Sequence, residues 1–185
     1  MKTLKFKGNR KYLHGTDLYN FFIKKNFKDI KIQFKKKIRF QPKINIFKNN
    51  KKLKNENCLI QYNNNGKLTK LILTESKKKI KKKYEYDETG MYKNFKLFKQ
   101  SAICNFKTHF STIDVLVALN KLYNNERVRK TKWYFVKLKL IKALDENFKK
   151  KFTIKIKKNI SNKFTIMNIF KNKKKIGEIE YISND

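Results

Sequence analysis

The segment "IDVLVALNKL" (113–122) constrains the fold most, because apolar side chains surround a predicted helix on nearly every side. A helix that is apolar all round is a buried helix. Residues 18–23 are likewise apolar over most of their predicted helical surface. The sequence therefore predicts two buried helices, over about residues 16–24 and 112–123, and each needs a cover from the rest of the chain.

Antiparallel sheet is the predicted cover. Between residues 30 and 46, isoleucine and phenylalanine take even positions and lysine takes many odd ones, which is typical of strands with one wet face. The stretch is long for one strand, and proline cannot donate to a central ladder, so a bend is expected near Lys36 or Pro42. Further strands are predicted over residues 58–62, 67–75, 80–88, 133–144, 152–158, 163–171 and 175–182.

The two halves of the chain follow the same order of elements. In each half, a histidine, a threonine and an aspartate precede an apolar helix, and about four strands follow, with a hairpin near the end. This order indicates an internal duplication. The predicted fold is α+β, with two helix-plus-antiparallel-sheet repeats at 1–88 and 109–185, joined by a connecting segment at 89–108 and packed as one compact unit.

Two stretches, "HGTDLYNFF" and "HFSTIDVLVALNKLYNNERVRKTKWYFVKLKL", together with the strands after each, resemble the hot-dog superfamily in its double form. The resemblance implies a buried central helix enclosed by a curved antiparallel sheet, twice in one chain. It implies binding or conversion of an acyl thioester of coenzyme A or acyl carrier protein, as a dehydratase, thioesterase or acyltransferase, or a non-catalytic relative that keeps the fold as a scaffold. The repeats are shorter than usual, and no carboxylate-bearing dehydratase or thioesterase signature is recognisable.

The first helix start is the main candidate site. In a hot-dog site the thioester carbonyl lies at a helix end, where backbone N–H groups and the helix dipole polarise it. We predict His14 and Asp17 as catalytic residues, with His14 as general acid or base. Gly15 and Thr16 are predicted to bind substrate, with Gly15 giving close access to the backbone and Thr16 as the N-cap. The alternative is that these residues only begin a helix.

The second helix start offers a weaker copy of this site. His109 and Thr112 are predicted to bind substrate, with Thr112 as the N-cap. Phe110 and Ser111 follow His109, so the glycine of the first site has no counterpart there. One site of a duplicated pair is therefore expected to be less well preserved.

The net charge of +35 has two interpretations. It is typical of nucleic-acid binding, and the alternative function is a lysine-rich RNA-binding protein such as an organellar or symbiont ribosomal component. Yet 45 of the 49 basic residues are lysine and only four are arginine, the residue better matched to phosphate. Abundant Lys, Asn, Ile and Phe indicate an A+T-rich genome instead. Nucleic-acid binding is therefore expected to be weak and sensitive to salt.

Few other classes remain open. Two cysteines and two histidines form no metal-ligand pattern, and neither a metal nor a cofactor is expected. The N-terminus lacks the apolar core of a secretory signal, and no segment is long and apolar enough for a membrane. We expect a protein of a bacterial or symbiont cytoplasm, with an organelle matrix as the alternative and a homodimer left open.

The acidic cluster 84–90 is interpreted as a strand end and turn, with a source of a carboxylate for a site as the alternative.

Overall fold

A ten-stranded antiparallel sheet packed against two helices dominates the computed structural model, which describes residues 3–47, 55–128 and 131–184. A separate pair of two-residue strands runs parallel. The elements in chain order are β1 (Phe6–Lys7), α1 (Gly15–Phe22), β2 (Lys28–Phe34), β3 (Phe40–Ile46), β4 (Cys58–Asn64), β5 (Lys67–Lys79), β6 (Lys83–Tyr84), α2 (Thr89–Tyr92), β7 (Phe95–Leu97), β8 (Ser101–Lys107), α3 (Thr112–Arg127), β9 (Lys132–Lys142), β10 (Lys149–Ile160), β11 (Phe164–Lys171) and β12 (Lys174–Asn184).

The two halves meet edge to edge in the middle of the large sheet. Its order is β3-β5-β4-β2 for the first half, continued by β9-β12-β11-β10-β8-β7 for the second. β2 pairs with β9 antiparallel, and this joint places Ile30 opposite Leu140 and Ile32 opposite Leu138. All four side chains belong to the buried core. One continuous apolar core therefore spans both halves.

The predicted helices are present and buried, with changed bounds. Every residue from Thr112 to Asn120 in α3 is buried, as its all-round apolarity predicts. α1 buries Leu18 and Tyr19 but exposes Asn20, so its outer side is polar. α1 runs two residues shorter at its C-terminal end than predicted, and α3 runs four residues longer. In the described part of the chain, no helix combines the length and the hydropathy that crossing a membrane requires.

The predicted division of residues 30–46 is confirmed. β2 ends at Phe34 and β3 begins at Phe40, and Pro42 lies in β3 at the edge of the sheet. An edge strand has one side without ladder partners, so a proline there loses little.

Two other segments differ from their predicted form. The strand predicted over 80–88 shrinks to β6, because its partner is the short β1 and no strand of the large sheet. Residues 89–108, predicted as a connecting segment, contain α2, β7 and β8. β8 pairs with β10 and thereby extends the sheet of the second half.

Candidate functional site

Lys7 joins the starts of the two central helices. Its side chain is fully buried, and its Nζ donates to Thr16 Oγ1 at 2.8 Å. The same ammonium forms an ion pair with Asp114 and lies 3.9 Å from Asp17 Oδ1. Thr16 and Asp17 stand in the first turn of α1 and Asp114 in the first turn of α3. A buried charge is tolerated when it is paired, so one lysine ties both helix ends together.

His14 is the N-cap residue of α1, and the prediction that Thr16 is the cap is wrong. The N-cap lies two residues earlier than predicted, so Thr16 lies inside the first turn. His14 makes no side-chain cap bond to the helix. Its Nδ1 instead lies 2.9 Å from Thr16 Oγ1, the hydroxyl that accepts from Lys7. Thr16 therefore orients the imidazole and leaves Nε2 as the ring nitrogen not engaged by this contact.

The electrostatic surroundings of His14 favour the neutral ring. Desolvation by the surrounding protein lowers the pKa of His14 well below 6.5, and the positive charges of Arg10, Lys7 and Lys121 lower it further. Both effects disfavour the imidazolium form. A neutral imidazole has one nitrogen that accepts a hydrogen bond and one that donates, so the ring can do both at once.

Gly15 is required by aromatic packing. A Cβ added there would lie 2.2 Å from Phe135 Cδ1 and 3.1 Å from Phe34 Cε2, so no larger residue fits. The sequence prediction gave this space to a ligand, whereas Phe135 fills the side-chain position. The first backbone N–H groups of α1 remain available: those of Gly15 and Thr16 have no hydrogen-bond partner within the described residues. Both residues are buried, so two backbone N–H donors without partners in the described structure lie at the positive end of the helix dipole.

Asp17 lies behind this helix start. Its Oδ1 accepts a hydrogen bond from Tyr84 OH at 2.5 Å, and its Oδ2 is buried without a partner in the described structure. Burial raises the pKa of Asp17 above its usual range, while the bond from Tyr84 and the charge of Lys7 oppose that rise. Asp17 thus contacts the buried network around Lys7, and its predicted catalytic role stays a prediction.

The start of α3 is closed by the chain's own side chains. Ser111, not the predicted Thr112, is the N-cap, and its Oγ accepts from the N–H of Asp114. The Glu146 carboxylate accepts from the Thr112 N–H at 2.8 and 3.1 Å. Thr112 Oγ1 donates to the carbonyl of Asp145 at 2.5 Å. A carboxylate of the chain therefore already occupies the place where an anionic ligand group would bind.

His109 stands away from this closed helix start. Its ring is exposed and meets Phe148 edge to face, with the ring centroids 5.2 Å apart. It does not contact the network around Lys7 in any described interaction. The substrate-binding roles predicted for His109 and Thr112 stay predictions.

A cavity of about 190 Å³ lies beside the start of α1. Its walls come from both halves of the chain. Aromatic and aliphatic side chains form most of it, and four lysines complete the wall. It is lined by Tyr12, Leu13, His14, Gly15, Phe34, Lys35, Lys36, Lys37, Val117, Lys121, Trp133, Tyr134, Phe135, Val136, Tyr181 and Ile182. Of the predicted site residues, His14 and Gly15 reach this cavity, while Thr16 and Asp17 lie behind it.

Sequence reasoning missed the residues that support His14. Lys7 is one of 45 lysines, so nothing in its type marks it as buried. Its neighbour Tyr86, whose ring centroid lies 3.9 Å from Lys7 Nζ, belongs to the acidic cluster 84–90. That cluster also supplies Glu88, which binds Arg10 and Lys121. Acidic residues are rare in this chain, so the acidic cluster 84–90 was the one sequence signal that pointed to the residues around Lys7.

No family model matches the chain, and no curated protein matches it significantly. Three solved structures with similar overall arrangement are a proposed thioesterase II from Thermobifida fusca YX (TM-score 0.48, 7% identity, covering 96% of this chain and 88% of that chain), the dehydratase domain of RzxB from Pseudomonas fluorescens (TM-score 0.47, 7% identity, 98% and 92%), and the acyl-CoA thioesterase II TesB2 from Mycobacterium marinum (TM-score 0.42, 5% identity, 86% and 81%). Likeness at this level carries no argument about activity.

The chain has a double hot-dog-like architecture. Two helix-plus-antiparallel-sheet halves share one sheet through β2 and β9, and each half buries its helix. The fold class predicted from the sequence is therefore confirmed.

Proposed function

We propose that this protein binds an acyl thioester of coenzyme A or acyl carrier protein at the start of α1, with His14 in proton transfer. The observation that carries the proposal is the open helix end. The N–H groups of Gly15 and Thr16 have no partner in the described structure, and Gly15 lines an apolar cavity together with a neutral histidine. A ligand with a polarisable carbonyl next to an apolar chain matches these three features.

The proposed chemistry begins with the thioester carbonyl. Its oxygen accepts from the free N–H groups at the positive end of α1, which stabilise negative charge that develops on it. The charges of Lys7, Arg10 and Lys121 act in the same direction, because they favour an anion as they disfavour the imidazolium. The acyl group lies against aromatic side chains, including Phe34 and Phe135. Carbonyl polarisation serves a thioesterase, a dehydratase and an acyltransferase alike.

His14 supplies the proton-transfer group of this proposal. Thr16 fixes Nδ1, so Nε2 is the atom that exchanges a proton with the substrate or with a water molecule. The tautomer follows from Thr16: when its hydroxyl donates to Nδ1, Nε2 carries the proton, and when Nδ1 donates, Nε2 accepts. Lys7 therefore positions the site through Thr16 without touching the substrate.

The direct test is turnover of a panel of coenzyme A and carrier-protein thioesters by the parent protein and by His14→Ala. The expected loss is about a hundredfold or more in kcat/KM, the usual share of a general acid or base. Asn159→Ala, at an exposed position near the end of β10, is the control and should keep the parent rate. Equal rates in His14→Ala and the parent would remove His14 from the chemistry.

His109→Ala is the informative partner to that test, since it removes the chain's other histidine. Its exposed ring lines no part of the cavity beside the start of α1, so turnover should change far less than in His14→Ala. A matching loss in both variants would place a second working site at the start of α3.

Weak polyanion binding is a second candidate function, and one cluster of like charges favours it. Lys31 on β2 lies directly opposite Lys139 on β9, with Lys137 close by. Desolvation lowers the pKa of Lys31, and the charges of Lys137 and Lys139 lower it further. Labelled RNA should bind weakly and lose most of its affinity between low and physiological salt. Tight, sequence-selective binding that survives physiological salt would instead make nucleic acid the main ligand.

A further inference from the structure

The core beneath the second half of α3 contains polar side-chain atoms that have no hydrogen-bond partner in the described part of the chain. Five residues supply six such atoms, and we call these residues the polar core cluster. Four of the five are no more than 7% exposed, and the fifth, Ser183, buries its Oγ. Folded proteins leave few buried polar atoms without a partner, so six in one region need a physical account. The atoms are Asn120 Oδ1, Asn124 Nδ2 and Oδ1, Trp133 Nε1, Thr165 Oγ1 and Ser183 Oγ.

Strand register brings the three sheet members of the cluster together. Ser183 on β12 lies directly opposite Trp133 on β9. Thr165 on β11 lies opposite Tyr181, which precedes Ser183 by two residues on β12 and so shares its face of the sheet. Side chains that are directly opposite on one face have Cβ atoms about 5 Å apart. Trp133, Ser183 and Thr165 therefore occupy neighbouring positions on the inner face of the sheet.

The helix α3 places the two asparagines over this part of the sheet. The hydroxyl of Tyr181 donates to the carbonyl of Val117 at 3.2 Å, which fixes α3 above β12. Asn120 and Asn124 follow Val117 by three and seven residues, so they project from the same side of the helix. The connection from α3 to β9 is short, and it keeps the end of the helix close to Trp133. Helix and sheet thus enclose the cluster between them.

The donors and acceptors of the cluster match a small neutral molecule. Trp133 Nε1 can only donate and Asn120 Oδ1 can only accept, while Asn124 offers one donor and one acceptor. The hydroxyls of Thr165 and Ser183 can do both. A cation would face the donors and an anion the acceptors, and none of the five side chains carries a charge. Water donates and accepts at once, so it can bond to every member.

We infer that the polar core cluster binds ordered water inside the protein. A buried water molecule makes about three hydrogen bonds, so six unpartnered atoms accommodate about two molecules. The bound water joins α3 to the inner face of β9, β11 and β12. Trp133 also lines the cavity beside the start of α1, so this water holds one wall of that cavity in place. The water site is independent of the proposed function, because none of its six atoms belongs to the start of α1.

Oxygen-17 magnetic relaxation dispersion of the solvent, which counts long-lived internal water molecules, tests the inference. Asn124→Leu removes two of the six polar atoms at similar side-chain size, and it should lose about one internal water molecule or more. Asn168→Leu is the matched control, because Asn168 also has an unpartnered Oδ1 in the described structure but lies on the opposite face of β11 from Thr165. It should keep the parent number. Equal numbers in the parent and in Asn124→Leu would overturn the inference, and so would an equal loss in Asn168→Leu.

A second measurement needs only the parent protein and remains informative if Asn124→Leu does not fold. Trp133 is the only tryptophan of the chain, so its indole N–H gives a single NMR resonance. That proton should show a nuclear Overhauser effect to water with the sign of a long-lived complex. An effect only to protons of Asn124 or Ser183, with none to water, would show that the side chains bond to one another and would overturn the inference.

Discussion

The starts of α1 and α3 are the same feature in two halves of one chain, and they end in opposite states. At α3, Ser111 and Glu146 occupy the N–H groups of Asp114 and Thr112. At α1, a histidine that makes no cap bond precedes two N–H groups without partners in the described structure. The comparison teaches that each half supplies a polarised helix end, and that a few side chains decide which of the two keeps N–H groups without partners in the described structure.

The sheets of the two halves differ as well. In both halves a hairpin lies between two consecutive strands: β4–β5 between β2 and β3, and β11–β12 between β9 and β10. In the first half the first hairpin strand, β4, is next to β2, whereas in the second half the second hairpin strand, β12, is next to β9. Each half still places the first strand after its helix at the joint, β2 against β9. The joint, the helices and the position of the hairpin are therefore common to both halves, while the order of the two hairpin strands is reversed.

The largest expected difference between the two helix starts is the loss of unfolding free energy when the buried lysine of each is substituted. Lys7→Met leaves the Asp114 and Asp17 carboxylates without their counter-charge and should cost about 3–5 kcal/mol of unfolding free energy. Lys150→Met removes a lysine whose partner Glu146 is half exposed, so its cost should be clearly smaller. Denaturant unfolding of both variants measures the difference. Equal losses of unfolding free energy in the two variants would mean that the buried lysine contributes equally at both helix starts.

Filling the glycine of the α1 start should have the next largest effect. Gly15→Ala forces a Cβ into the ring of Phe135, and overpacking of this kind costs about 1–3 kcal/mol. Gly90→Ala, where an added Cβ meets nothing within 4 Å, is the control. Phe135→Leu in the Gly15→Ala background should recover part of the stability. An unchanged midpoint in Gly15→Ala would show that the aromatic rings move aside freely.

The change of unfolding free energy with pH isolates the contribution of His14. The folded pKa of His14 is depressed, so below about pH 6.5 the unfolded chain binds a proton that the folded chain does not. Stability should therefore fall as the pH drops through that value, by up to about 1.4 kcal/mol per pH unit from this group. His14→Gln should remove that part of the slope in denaturant unfolding at several pH values. Parallel slopes in parent and variant would contradict a neutral buried imidazole.

Opening the closed helix start should have the smallest effect. Glu146→Ala frees the Thr112 N–H and should cost about 1 kcal/mol, as for loss of a helix cap. Asn147→Ala, the exposed neighbour that keeps the carboxylate, is the control. A loss of thioester turnover in Glu146→Ala, at conditions where it remains folded, would show that the α3 end takes part in the function after all.

Much of the fold follows from local pattern. The all-round apolarity of α3 dictates its burial, and the alternation from Ile30 to Ile46 dictates a strand pair divided before Pro42. Repetition of the same pattern in the second half leads to the two-repeat architecture. These features can be predicted from the sequence, because each depends on side chains that lie within one helical turn or one strand of each other.

The candidate site is legible only in part. The sequence singles out His14 and Gly15, because a rare histidine and a glycine precede an apolar helix, and the structure places both at one cavity. Lys7 was missed, since one lysine among many has no local mark of burial. The glycine was found for the wrong reason, because the ring that fills its side-chain position comes from Phe135, far along the chain.

The sequence by itself determined which segments are buried helices and which are alternating strands, since hydrophobic period and turn residues act between near neighbours. Only the tertiary structure decided which helix start stays open. That choice depends on contacts between residues far apart in the chain, such as Lys7 with Asp114 and Thr112 with Glu146. A carboxylate or an ammonium group shows its role only when folding brings its partner within hydrogen-bonding distance, and no local pattern records that partner.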